Sequence, residues 1–359
     1  MSDLQLSLLV IGAVVVGAVY LYNWLQERGF HRRMQQAFGS AHDDVLLKAG
    51  VESALTDGRL EPQIVPPDAE HDGDRAASAD EGQAAAPGFD SILDYVAEFD
   101  TDTPIAGAQV VELASNAASC GKPVHVVGLD GGDGEWVEIT HSEAGHYTRL
   151  RLALQLVNRA GPVSAAQLAV FCDAVKSCAD KLQGRATFPD APAALKRARE
   201  LDAFCAGVDV AVGVNVVAEG GGMFAGAKIR ELAQARGFKL GPDGVFQYQD
   251  ENHRTLFTLD NHEPAPFLPE RIRGLSTRGL TLLLDVPRVA GVNEALDRMV
   301  GIANDFAAAL GGRLVDDNRA ALSEAGIAKI REQVRAIHAT MEAHGIPAGS
   351  PRALRMFSG

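Results

Sequence analysis

Two segments of this sequence recur further along the chain, and this repeat limits the possible folds more than any other feature. The segment IAGAQVVELASNA from Ile105 matches FAGAKIRELAQAR from Phe224, and TRLRLALQLVNRAGPV from Thr148 matches TRGLTLLLDVPRVAGV from Thr277. The matches keep one order at offsets of 119 and 129 residues. Long, similar offsets indicate two duplicated domains rather than a solenoid of short units.

A third match, EWVEI from Glu135 with TLFTL from Thr255, falls between these two. Together the three matches indicate where each copy begins and ends. We expect a first domain over 89–206 and a second domain over 207–344. The remaining residues, 345–359, are expected to form a flexible tail.

The apolar pattern of the second copy predicts an α+β domain. Alternating apolar residues predict strands at 210–218 and 280–285, and helical spacing predicts a helix over Val292–Leu310. Helices gathered on one side of a mostly antiparallel sheet would leave its other face open. Leu283 points to that open face because Leu280, Leu282 and Leu284 share the opposite one. The alternative is that a loop or the first copy covers Leu283.

The N-terminus predicts a membrane anchor. Residues 4–26 contain no charged side chain, and as a helix they would extend about 35 Å, enough to cross the hydrocarbon core of a bilayer. Basic residues begin at Arg28, which places the C-terminal side in the cytoplasm. We therefore expect an uncleaved transmembrane anchor at 1–27, and a juxtamembrane segment with a disordered, acidic, Pro- and Ala-rich linker at 28–88.

Several classes of function are disfavoured by composition and by the absence of motifs. The formal net charge of -14 argues against nucleic acid as a partner, because phosphate binding requires a basic surplus. The sequence has no phosphate loop, dinucleotide fingerprint, nucleophile elbow or zinc-ligand spacing. The run GGDGE from Gly131 is typical of a hairpin turn. We predict a protein that is not an enzyme, with no catalytic residue, metal or cofactor.

Four short segments carry a resemblance to the ZipA family of bacterial cell-division proteins: VNVVA at 214–218, LFTLDN at 256–261, TLLLDVP at 281–287 and GGRLVDDNR at 311–319. The resemblance implies a membrane anchor, a long disordered linker and a C-terminal split β-α-β domain that binds the C-terminal tail of the tubulin-like FtsZ. The first copy looks like a diverged version of that domain. The predicted architecture is therefore two tandem ZipA-like domains after a transmembrane helix.

The resemblance also implies a binding site for the FtsZ tail on the open sheet face. The positions that match the family's binding residues, together with the outward-facing Thr281, are Ala211, Gly213, Gly244, Phe246, Thr258, Asp260, His262, Thr281, Leu283 and Arg319. The implied function is an adaptor that tethers the division ring to the bacterial inner membrane, as a single-pass protein with its bulk in the cytoplasm at the division site. The alternative is a membrane-anchored scaffold for another division or envelope partner, with FtsZ binding lost.

Overall fold

A computed structural model describes residues 89–130, 134–139, 145–316 and 319–358. The segments predicted to be a membrane anchor, 1–27, and a linker, 28–88, lie outside the described residues. Among the helices that the structure does describe, none combines the length and the apolar character needed to cross a bilayer.

The first domain is a five-stranded antiparallel sheet with helices α1 and α2 packed on one side. Its elements in chain order are β1 (Asp94–Ala106), α1 (Gly107–Ala118), β2 (Val124–Asp130), β3 (Trp136–Glu138), β4 (His146–Gln155), β5 (Val157–Asn158), β6 (Gly161–Pro162), α2 (Ala165–Lys181), β7 (Arg185–Thr187) and α3 (Ala191–Val208). The strands lie in the order β3-β2-β4-β1-β7, and β5 and β6 form a separate small hairpin.

The second domain is a six-stranded antiparallel sheet in the order β10-β11-β12-β14-β8-β15. Its elements are β8 (Ala211–Ala218), β9 (Phe224–Ala225), α4 (Gly226–Ala235), β10 (Lys239–Leu240), β11 (Phe246–Gln249), β12 (Thr255–Asn261), β13 (Ser276–Thr277), β14 (Gly279–Asp285), α5 (Val292–Leu310), β15 (Gly312–Val315), α6 (Glu324–Ala343) and α7 (Pro351–Met356). The α+β class predicted from the sequence is confirmed.

Both sheets contain the same four-strand core. In the first domain the order β2-β4-β1-β7 places β4 between β1 and β2, which run in the same direction and are joined by α1. The order β12-β14-β8-β15 repeats this split β-α-β arrangement, with α4 followed by β10 and β11 in the connection from β8 to β12. The expected match of EWVEI with TLFTL is wrong in one respect: β3 is an edge strand, and β2 occupies the position that β12 has in the second sheet.

Apolar alternation fixes which side of the second sheet faces its helices. Leu280, Leu282 and Leu284 on β14 are fully buried in one core with side chains from β8, α4 and α5, as the sequence predicted. Helix α5 has the predicted bounds because Gly291 and Gly311 flank it in the left-handed conformation, with φ of 62° and 70°. Leu283, on the other side of the strand, is only half-buried.

The C-terminal residues differ from the expected flexible tail. Ser350 accepts a hydrogen bond from Ala353 N–H and so caps α7, which places Met356 and Phe357 in the core of the first domain with no exposed surface. Arg355 forms an ion pair with the buried carboxylate of Asp94 on β1. The six-residue helix is too short to show helical periodicity in the sequence, so its docking was missed.

Candidate functional site

The candidate site is the outer face of the second sheet, opposite α4 and α5. Leu283 on β14 lies between two register partners, Thr258 on β12 and Gly213 on β8. All three are partly exposed. Because Gly213 has no side chain, one flank of Leu283 is left open. We call Leu283, with the bare backbone of Gly213 beside it, the apolar depression of this face.

Beside this depression, three polar side chains form a chain of hydrogen bonds across the strands. The Thr281 hydroxyl donates to Asn215 Oδ1 at 2.7 Å, and His262 Nδ1 lies 3.2 Å from the same Thr281 oxygen. With the hydroxyl proton donated to Asn215, this second contact is a hydrogen bond in the tautomer whose Nδ1 carries the hydrogen. Asn215 is buried although it faces outward, and His262 is exposed.

Asp260 is the register partner of Thr281 and places a carboxylate on the same face. It is half-buried, and its Oδ1 accepts a 2.7 Å hydrogen bond from the N–H of Asn261. The pKa of Asp260 is raised, mainly by burial and also by the negative charge of Asp243. The hydrogen bond from Asn261 acts in the opposite direction. The face thus combines an apolar depression with a polar, acidic part.

The first domain reaches one end of this face through Arg159, in the turn between β5 and β6. The guanidinium donates to both carboxylate oxygens of Asp285, at 2.9 and 2.7 Å, and also to Asp209 at 2.7 Å. Burial alone would lower the pKa of Arg159, but the hydrogen bonds and charges of both carboxylates raise it. Ala211 is the register partner of Asp285, so this predicted site residue lies at the bridged end.

Two predicted site residues are not available on the open face. Phe246 is 1% exposed and lies in the core, with its ring centroid 5.5 Å from that of Phe267. Gly244 is buried in a turn with φ of 81°, where an added Cβ would lie 2.6 Å from Pro266. The structure thus differs from the expected placement of both residues on the open face, because β11 turns Phe246 inward and the loop containing Pro266 covers Gly244.

Arg319 lies apart from these residues, in the turn after β15 at the edge of the sheet. It is exposed and has a positive φ of 62°. Its N–H donates to the carbonyl of Asp316 at 3.0 Å. Its role at the rim of a peptide site stays a prediction.

Sequence reasoning missed Arg159 because the residue comes from the other domain and belongs to no motif. It also missed the bond between Thr281 and Asn215, although both residues were assigned to strands. Within the described residues, no group of three or more His, Cys, Asp or Glu side chains could hold a metal ion. The site offers a partly exposed apolar side chain beside hydrogen-bonding groups, which suits the docking of a short peptide.

Comparison with known families agrees with this geometry. Residues 211–333 match the family model described as ZipA, C-terminal FtsZ-binding domain. The match begins at β8 and ends within α6, so it includes the sheet and its open face. The predicted resemblance to ZipA is confirmed for the second domain.

Curated relatives named "Cell division protein ZipA" match part of the chain. The protein from Ectopseudomonas mendocina is 30% identical over 149 residues, which are 40% of this chain and 55% of the relative. The protein from Marinobacter nauticus is 29% identical over 126 residues, or 34% of this chain and 37% of the relative. The one from Shewanella loihica is 30% identical over 127 residues, covering 34% and 38%. The chain thus spans about half or less of the length of these relatives.

Proposed function

We propose that this protein is a membrane-anchored cell-division adaptor that binds the C-terminal tail of FtsZ on the outer face of the second sheet. The observation that carries the proposal is the half-buried Leu283 beside Gly213, in a domain that matches the ZipA C-terminal FtsZ-binding family. An apolar side chain of a short peptide would remove this depression from water, and the surrounding polar groups would orient the peptide. No catalytic step is part of this role.

The proposed anchor is the uncharged segment at 4–26, with the bulk of the protein in the cytoplasm. The acidic segment at 28–88 would act as a tether that gives the folded part reach from the inner membrane. Together they would attach FtsZ filaments to the membrane at the division site.

The first domain has a different outer face, although its shared strand order supports the proposal that it is a diverged copy. On β4, Arg151 lies 3.2 Å from Glu98 in an ion pair and 4.5 Å from the ring centroid of Trp136. Ala153, two residues further on, is buried. Because Arg151 on this face is already paired with Glu98 and Trp136, we expect the first domain to bind the FtsZ tail weakly or not at all.

Calorimetry with residues 86–359 and an FtsZ tail peptide would test the proposal, since this segment contains one compact unit. The unchanged protein should bind, and Leu283→Glu should weaken binding roughly tenfold or more because a carboxylate would be desolvated against an apolar ligand. Val170→Glu is the matched control, since Val170 is 44% exposed on α2 of the first domain. An unchanged fragment that does not bind would favour the scaffold alternative. A folded Leu283→Glu variant that still binds fully would place the site elsewhere.

A further inference from the structure

Asp260 is a half-buried carboxylate without a cationic partner on the face assigned to peptide binding. Its Oδ1 accepts the Asn261 N–H. Among the residues that the structure describes, no lysine or arginine forms an ion pair with it. A carboxylate removed from part of its water without an opposite charge is costly. A ligand that supplied the missing positive charge would recover part of that cost.

The groups around Asp260 add to the cost of keeping its carboxylate ionised without a cationic partner. Burial holds the Asp260 pKa above its ordinary value, and the negative charge of Asp243 adds to this rise. His262 lies two residues further along the strand, but its Nδ1 is engaged by the Thr281 hydroxyl at 3.2 Å. The site is therefore a carboxylate beside hydrogen-bonded polar groups, next to an apolar depression.

The sheet register fixes the distance between the two parts of the site. Leu283 is opposite Thr258, so Asp260, two residues further along β12, is its diagonal neighbour. Diagonal neighbours in an antiparallel sheet are about 7–8 Å apart. In a bound peptide this distance suits an apolar and a basic side chain at positions i and i+2 of an extended segment, or one turn apart in a helix.

We propose that Asp260 determines specificity by accepting a charge-assisted hydrogen bond from a lysine or arginine of the bound peptide, while Leu283 receives an apolar side chain of the same peptide. This inference rests on the proposed function and adds the chemistry of the ligand. It selects for peptides in which a basic residue lies at the stated spacing from an apolar one.

The test measures, by calorimetry, the affinity of residues 86–359 for an FtsZ tail peptide and for variants of that peptide. In each variant one lysine or arginine is replaced by glutamine. Asp260→Asn should weaken binding of the unchanged peptide roughly tenfold. The same substitution should have little effect on the one peptide variant that has lost the interacting cation. Glu251→Gln, in the exposed turn before β12, is the matched control and should leave all affinities unchanged.

A charge reversal keeps the test decisive if Asp260→Asn perturbs the fold. Asp260→Lys should bind the unchanged peptide poorly and bind better when the interacting cation is replaced by glutamate. Equal losses across every peptide, or no loss with Asp260→Asn, would overturn the specificity role while the tail still binds. If the unchanged protein binds no tail peptide at all, the proposed function fails, and this inference fails with it.

Discussion

Replacing Phe357 with alanine should destabilise the first domain, although this residue lies more than a hundred positions beyond the end of that domain's last helix. The ring of Phe357 has no exposed surface and belongs to the same core as β1 and β4. Removing a fully buried phenylalanine costs about 3–5 kcal/mol, from lost burial and from the cavity left behind. Domains of this kind have free energies of unfolding of about 5–15 kcal/mol, so the loss is a large fraction of the total.

The sequence supplies a convenient assay for this effect. Trp136 on β3 is the only tryptophan within residues 86–359, so its fluorescence reports on the first domain. Urea unfolding followed by this signal should give the expected fall in the free energy of unfolding for Phe357→Ala. Met223→Ala is the control, because Met223 is 56% exposed and its loss should change stability by less than about 0.5 kcal/mol.

Hydrogen exchange would show where the destabilisation acts. The substitution should accelerate amide exchange more in β1 and β4 than in β8 and β14, each compared with the same strand of the unchanged protein. The reasoning would be refuted if Phe357→Ala changed the tryptophan transition no more than Met223→Ala does. That result would mean that the C-terminal residues do not contribute to the first core.

Two further predictions concern the inner side of the second sheet and the pH dependence of stability. Leu282→Ala should lower the free energy of unfolding by about 2–5 kcal/mol in urea titrations, since Leu282 has no exposed surface; a loss below about 1 kcal/mol would contradict its core position. Asp90→Asn should cost about 1–2 kcal/mol at neutral pH, because burial raises the Asp90 pKa but the Arg352 ion pair and two backbone N–H groups lower it overall. Stability from a lowered carboxyl pKa is present above the unfolded pKa and lost as pH falls, so the two proteins should converge in acid. A difference that persisted at pH 2 would exclude this charge as the cause.

The sequence predicted the β14 face and the α5 helix because each has a strong local signal. Leucines at 280, 282 and 284 share one side of the strand, with Thr281, Leu283 and Asp285 on the other, and glycines flank the helix at both ends. The alternation of side chains along a strand also predicts that Phe246 faces the core. In FQYQ the aromatic residues alternate with glutamines, so Phe246 and Tyr248 share the inward side. The family correspondence instead places Phe246 on the open face, against this alternation.

Contacts between distant segments could not be predicted from one sequence. The Arg159 bridge to Asp209 and Asp285 depends on how the β5–β6 turn meets the second domain, and no periodic pattern encodes that position. The same holds for Arg355 and Asp94, which are 261 residues apart. The strand pattern therefore predicts which face of the second sheet is open, but it does not predict that Arg159 bridges one end of that face.

The C-terminal segment also decides how the roles of the two domains can be separated. Gly349 N–H donates to the Pro287 carbonyl at the end of β14, and Arg159 N–H donates to the Ser358 carbonyl, so the segment is bonded to both domains. A fragment of residues 89–207 would lack Met356 and Phe357 and would expose the core that they fill. Weak tail binding by such a fragment would therefore reflect damage to its fold as readily as a lack of a site. Surface substitutions in the intact unit, such as Leu283→Glu, avoid this ambiguity because each changes one face and leaves the shared core in place.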